Sequence, residues 1–148
     1  TFGADVLDDR GELDRPSMRR RVFADPAARR RLEAIIHPRV RAWLRERAQS
    51  GSAPYCLLAI PLLAENIAQY RWVDRVLVVD VPESVQLARL IARDGVDEAL
   101  ARRMIEQQAT RAERLALADD VIDNSGDESA LDQPVAELHQ RYLALATA

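Results

Sequence analysis

The sequence predicts an α/β fold built on a parallel sheet, and three observations carry that prediction. Tyr55 to Ile60 and Arg75 to Val81 are short, near-continuous apolar runs, the form taken by strands buried on both faces. A third short run, Asp120-Val121-Ile122-Asp123, ends at the turn residues Asn124-Ser125-Gly126. Segments of helical spacing separate the runs, and strands alternating with helices imply crossover connections. Three strands are few for such a sheet, so the expectation is that a further part of it lies outside this chain.

The first 50 residues read as helical and rich in arginine. Asp14 can cap a helix containing Ser17 to Val22, and Asp25-Pro26 pairs a capping residue with proline at the first helical position. Ala28, Leu32, Ile35 and Ile36 then recur at helical spacing. Pro38 lacks an amide hydrogen and biases His37 away from helical angles, so it is expected to disturb this helix before a second helical stretch, Val40 to Ala48. After the turn Ser50-Gly51-Ser52-Ala53-Pro54 comes the first apolar run, and Pro61 to Tyr70 has room for a short helix. Beyond Pro82, Val85, Leu87, Leu90 and Ile91 mark a helix that Asp94-Gly95 stops. Asp97 is read as the cap of one longer helix reaching about Ala118, and a last helix runs from near Ser129 to Ala146 with Pro134 in its first turns.

Composition narrows the function classes. Among the 148 residues the hydrophobic share is 48% and the charged share 30%, which fits a globular domain with its own core. A formal charge of -3 argues against a nucleic-acid binder, which usually carries a basic excess. All 21 basic residues are arginine, so no step that needs a lysine ammonium can be served from within this chain. The single cysteine, Cys56, excludes an internal disulfide and a cysteine-based zinc site, and its apolar surroundings predict a buried thiol. No apolar stretch approaches the roughly 20 residues of a membrane span. The first residues also lack the basic and apolar regions of a signal peptide, so a cytoplasmic location is expected.

Several residue groups are suited to chemistry. Arg89 and Arg93 share a helix face beside the Asp94-Gly95 break, and Arg102, Arg103, Arg111 and Arg114 follow. Guanidinium groups on the inner face of a helical hairpin would clamp phosphate oxygens through planar, paired donors. The competing reading is a solvated face pairing with Glu98, Glu106 and Glu113. His37-Pro38 offers an imidazole beside a helix kink, which either meets a substrate or satisfies the freed backbone. Glu65 follows a strand end, where ligands bind in open α/β sheets, although a helix N-terminus also favours a carboxylate. Asn124 and Gly126 follow another strand end and could read an adenine edge, or simply form a turn. Neither histidine has the spacing of a zinc hydrolase, and no metal site is expected from this chain's residues.

Taken in order, these segments resemble the dephospho-CoA kinase family. Phe2-Gly3 through Leu13-Asp14-Arg15, Val22-Phe23 and Leu32-Glu33-Ala34-Ile35-Ile36-His37-Pro38 are similar to its substrate-side helical region. Pro61-Leu62-Leu63-Ala64-Glu65 resembles its PLLxE motif, and Val78-Val79-Asp80-Val81-Pro82, Gln86, Arg89, Arg93-Asp94, Gln108 and Arg111 continue the pattern. Ala118-Asp119-Asp120-Val121-Ile122-Asp123-Asn124-Ser125-Gly126 resembles its late signature. The resemblance implies a P-loop kinase-like parallel sheet core, partial in this chain, with helical substrate-binding and lid regions. It divides the chain into a CoA-side region (1–53), core strands with the PLLxE motif (54–84), a helical lid (85–117), and a strand, adenine loop and terminal helix (118–148).

The implied activity is transfer of the γ-phosphoryl group of ATP to the ribose 3′-hydroxyl of dephospho-CoA, with Mg²⁺, the last step of coenzyme A synthesis. Carried over by position, Arg89, Arg93 and Arg111 become lid or phosphate-facing residues. Arg15, His37 and Glu65 fall on the substrate side, and Asn124 and Gly126 on the adenine side. The family's glycine-rich phosphate loop with its lysine, and the aspartate that acts as general base, have no counterpart in these residues. Ala59 stands where many members carry an aspartate. The expectation is therefore a partial copy of the kinase, inactive by itself; the alternative is a non-catalytic module that binds CoA-like ligands or a protein partner.

Overall fold

The computed structural model describes residues 1–147. It separates into two compact units, Thr1–Cys56 and Leu57–Ala148.

The first unit is a helical hairpin preceded by a short ordered arm. Helix α1 spans Arg15–Ala24 and α2 spans Pro26–Ser50. Both begin as the sequence predicts. The Asp14 carboxylate accepts the Ser17 amide at 3.3 Å and the Ser17 hydroxyl, while Asp25 accepts the Ala27 amide at 2.8 Å. In the arm, Asp8 accepts the amides of Arg10 and Glu12, each at 2.9 Å, and Gly11 takes a left-handed φ of 76° that closes the loop. Phe2, Val6, Met18 and Ala28 form the core, with Val22, Leu32 and Ile35 packed against it. Arg21 reinforces the arm by donating to the Phe2 carbonyl at 2.8 Å and to Asp5 at 2.9 Å.

Pro38 does not divide α2, which runs unbroken through it. The ring removes one amide, so the Ala34 carbonyl loses its helical partner. Ala34, His37 and Pro38 are all exposed, and solvent is free to hydrate that carbonyl. A local loss on a wet face is insufficient to end a helix held by its first turns against a core.

The second unit holds the sheet. After α3 (Leu63–Asn66) and a 3-10 turn (Ile67–Gln69), strand β1 covers Leu77–Asp80. Helices α4 (Glu83–Asp94), α5 (Glu98–Glu106) and α6 (Arg111–Ala116) cross over to β2 (Asp120–Asp123). The strands are parallel, with Leu77 opposite Asp120 and Asp80 opposite Asp123. A 3-10 turn (Glu128–Leu131) leads into α7 (Asp132–Ala146). Gly95, at φ 67°, ends α4 as the Asp94-Gly95 stop predicts.

Three expectations are corrected. Tyr55 to Ile60 forms no strand, because no neighbouring strand among the described residues satisfies its backbone. Cys56 is exposed rather than buried for the same reason: without sheet pairing, its side chain is not packed between a sheet and a helix layer. The helix expected from Asp97 to Ala118 is two helices. Gln107 to Ala109 leave the helix, and Thr110 restarts it with a capping box in which Thr110 and Glu113 exchange side-chain and backbone hydrogen bonds.

Asp120 anchors the sheet to its surroundings. Its side chain, 1% exposed, accepts from Arg75 Nε at 2.8 Å, Arg141 Nη1 at 2.6 Å and the Tyr142 hydroxyl at 3.0 Å. Beside it, Asp119 accepts the Val76 amide at 2.7 Å, which fixes the entry of β1 against that of β2. A buried carboxylate is tolerated here because each oxygen is matched by donors.

Candidate functional site

The two parallel strands end side by side on acidic residues, Asp80 and Asp123, and the candidate site is assembled around those ends. Parallel sheets bind ligands beyond the carboxyl ends of their strands, where connecting loops converge.

Asp80 closes β1 and is almost fully covered. Its carboxylate accepts Arg111 Nε at 2.9 and 3.1 Å and Arg111 Nη2 at 2.6 Å. These hydrogen bonds hold the Asp80 carboxyl below the ordinary carboxylate range, against the opposing effect of burial. Arg111 is the first residue of α6, so the capping box at Thr110 sets where that side chain starts. Its guanidinium is held the more firmly in its charged form by the same pairing.

The turn after β2 is tied to Asp80 and to α4. The Asn124 amide donates to the Asp80 carbonyl at 2.8 Å, and the Ser125 amide donates to the Asp123 carboxylate at 2.8 Å. Bonds from Ser125 hold the Asp123 carboxyl below its usual range. Arg89 reaches over from α4 and donates to the carbonyls of Asn124 at 2.8 Å and Gly126 at 3.2 Å. One guanidinium therefore spans both ends of the turn.

Ala109, in the break between α5 and α6, is gripped on both backbone groups. Its amide donates to Glu65 Oε1 at 2.8 Å, and its carbonyl accepts Arg114 Nη1 at 2.6 Å. Arg114 also approaches Gln86 Oε1 at 3.4 Å. Glu65 is presented from α3, whose preceding residue Leu62 adopts φ 54°, a left-handed conformation that a leucine rarely takes. Asn66 Nδ2 donates to the Leu62 carbonyl at 3.0 Å and holds that turn. A cavity of about 220 Å³ lies beside β1, with Ile60, Leu63, Glu65, Val78, Gln108 and Arg114 among its walls.

The sequence-derived candidates thus divide. Arg89, Asn124 and Gly126 are brought into direct contact, Arg111 is placed on Asp80, and Glu65 is placed on the α5–α6 break. Arg93 lies near the end of α4 and pairs with its neighbour Asp94 at 2.7 Å on an exposed surface. Arg15 and His37 belong to the first unit, both exposed, with no hydrogen bond between them. The solvated-face reading holds for Arg102, which pairs with Glu98 at 2.6 Å. Asp80 was not singled out for chemistry by sequence reasoning, although a carboxylate closing an apolar run was a visible signal. Thr110-x-x-Glu113 likewise announced the helix restart.

Among the described residues no group of three or more His, Cys, Asp or Glu side chains converges on a point. Both Asp80 oxygens are engaged by Arg111, and Asp123 is engaged by Ser125. These carboxylates therefore do not form a ready-made cage for a divalent cation.

Comparison with known proteins agrees with the motif order. A profile of the dephospho-CoA kinase family matches residues 1–130. The dephospho-CoA kinase of Xanthomonas campestris pv. campestris is 51% identical over 145 residues, covering 97% of this chain and 70% of that protein. That of Vibrio vulnificus is 50% identical over 145 residues, covering 98% and 71%. Among solved structures, a dephospho-CoA kinase from Campylobacter jejuni aligns with a TM-score of 0.67 at 25% identity, over 91% of this chain and 68% of that one. A crystal structure of a Thermus thermophilus protein aligns at 0.64 with 34% identity, over 86% and 69%.

Proposed function

The chain belongs to the dephospho-CoA kinase family, and from that premise we propose that its residues serve transfer of the ATP γ-phosphoryl group to the ribose 3′-hydroxyl of dephospho-CoA. ATP and dephospho-CoA are the family's substrates, and coenzyme A is the product. The observation that carries the proposal for this chain is the seating of Arg111. Its Nε/Nη2 edge is held by Asp80 at the end of β1, beside the turn that Arg89 holds closed.

Phosphoryl transfer asks little covalent chemistry of a protein. It asks that the phosphates be positioned and their spreading charge be met by fixed donors. In our reading Arg111 and Arg93 face the phosphate chain, with Arg89 shaping the turn that receives the adenine through Asn124 and Gly126. We assign Arg15 and His37 of the first unit, and separately Glu65 of the second, to recognition of the acceptor, and residues 85–117 to the lid. Because none of the 148 residues is lysine, the Lys/Arg-type charge this chain can offer a phosphate comes entirely from guanidinium groups. Mg²⁺, implied by the family, would shield the phosphate charge of the nucleotide; the carboxylates described above do not by themselves form a site for it. No helix among the described residues is long and apolar enough to cross a membrane; a cytoplasmic location is part of the same proposal.

The test is a transfer assay with γ-labelled ATP and dephospho-CoA, on the protein expressed from its whole reading frame and on the 148 residues alone. Label is expected in the 3′-phosphate of coenzyme A with the former, and none above background with the latter. Absence of transfer by the whole protein, with ligand binding intact, would sink the kinase reading.

A further inference from the structure

Asp80 performs two tasks at once. Its side chain, 9% exposed, grips the arginine at the start of α6, while its backbone carbonyl accepts the Asn124 amide at 2.8 Å. The residue therefore links the candidate phosphate-facing arginine to the candidate adenine turn through its own covalent frame, side chain to one and carbonyl to the other.

The grip on Arg111 is of a particular kind. A guanidinium carries five N–H bonds in one plane. Asp80 takes the edge formed by Nε and Nη2, leaving both Nη1 hydrogens and one Nη2 hydrogen on a side chain that is 49% exposed. An unrestrained surface arginine carries substantial rotamer entropy, which a ligand must overcome when it orders the group. Held along one edge, the group presents its other edge in a fixed plane, the geometry that paired phosphate oxygens accept. Stability alone is a weak reason for this arrangement. A pair with one half-exposed partner contributes little to stability, whereas covering a carboxylate costs desolvation.

We propose that Asp80 is a positioning residue for phosphoryl transfer, holding Arg111 by its Nε/Nη2 edge so that the Nη1 edge meets the phosphates of ATP. The proposal rests on the reading of Arg111 as phosphate-facing.

The experiment is a mutant cycle on the whole kinase: Asp80→Asn, Arg111→Gln and the double variant, with kcat and KM measured separately for ATP and dephospho-CoA. Asp80→Asn is expected to lower kcat/KM for ATP by about ten- to a hundredfold, the scale of a small misplacement of a reacting group. The KM for dephospho-CoA should stay within about twofold, since that substrate does not meet this arginine. Because Asp80 acts through Arg111, the double variant should be no slower than Arg111→Gln. A purely structural role predicts instead that Asp80→Asn costs as much in the Arg111→Gln background as alone, and that result overturns the proposal. So does a wild-type kcat/KM in Asp80→Asn beside an impaired Arg111→Gln. If Arg111→Gln alone leaves ATP turnover untouched, the phosphate-facing reading fails first, and the role of Asp80 with it. Should Asp80→Asn not fold, Arg111→Lys carries the test: an ammonium keeps the charge but offers no edge to hold. Its kcat/KM for ATP should fall as in Arg111→Gln, and a wild-type value refutes the idea.

Discussion

Arg89 and Asn124 lie 35 residues apart in the chain, yet the Arg89 guanidinium donates to the Asn124 carbonyl at 2.8 Å. Its second bond, to the Gly126 carbonyl, makes the side chain a brace across the whole turn. Replacing Arg89 with alanine leaves both carbonyls to solvent and the turn free to open. We expect the KM for ATP to rise about three- to tenfold, the value of one or two exposed hydrogen bonds, with the KM for dephospho-CoA unchanged. Arg89→Lys supplies a point charge in place of a fork and should fall between. Equal effects on both substrates would point to a general loss of the fold.

Glu65 separates a structural from a substrate role. Its carboxylate accepts the Ala109 amide in the break between α5 and α6. Glu65→Ala should therefore speed hydrogen exchange at Ala109 by about tenfold, the weight of one backbone hydrogen bond, while Glu65→Gln keeps an acceptor oxygen and should exchange nearly as the parent. Exchange at Ala109 that is indifferent to Glu65→Ala, alongside a raised KM for dephospho-CoA in both variants, would return Glu65 to the acceptor site.

Acid should weaken the second unit through Asp120. Hydrogen bonds from Arg75, above all, hold its carboxyl below the ordinary value of 3.8. With the folded pKa the lower of the two, the unfolded chain gains protons first as the pH falls. The stabilisation is therefore complete above 3.8 and is lost below it, as the pH passes through the folded pKa. Asp80, held down by Arg111, contributes with the same sign. Urea midpoints should hold steady from pH 7 to about 5 and then decline. Asp120→Asn should lower the pH 7 stability by about 2 kcal/mol and flatten the acid decline. An undiminished acid slope in that variant would assign the decline to other carboxylates.

Alkali offers a companion measurement. Burial, followed by the hydrogen bond to Asp120, pushes the Tyr142 phenol up to about 12. A spectrophotometric titration should show one tyrosine ionising near that value, and Tyr142→Phe should remove this late step. A titration unaltered by the substitution contradicts the assignment.

Pro38 sits within α2 at a cost. Pro38→Ala restores the amide that the Ala34 carbonyl lacks, and should stabilise the first unit by up to about 3 kcal/mol, read as slower exchange of the α2 amides. With His37-Pro38 on the acceptor side, as proposed, the variant should also raise the KM for dephospho-CoA. A stabilised variant with an unaltered KM would make Pro38 dispensable for substrate.

Local rules read well wherever a residue acts on its near neighbours. Asp14, Asp25 and Asp97 cap the helices that the sequence assigns them, and Gly95 ends α4. The capping box at Thr110 is equally local: Thr110-x-x-Glu113 is the signal that divides the long helix. The apolar run at 55–60 was legible as extended but not as unpaired, because a strand exists only when another strand meets its hydrogen bonds. The burial expected for Cys56 failed with it.

The sequence by itself determined the helix starts at Asp14, Asp25 and Asp97, the stop at Gly95, the parallel character of the strands and, through its ordered motifs, the family. Each of these depends on residues a few positions apart or on a pattern that survives in one dimension. Only the tertiary structure decided what the charged groups do. Arg89 turns to the turn after β2, Arg111 to Asp80 across 31 residues, and Glu65 to Ala109 across 44. Arginine and glutamate side chains are long, and either suits many partners equally well. Which partner each meets is settled by where the crossover from β1 to β2 returns, and no local spacing records that.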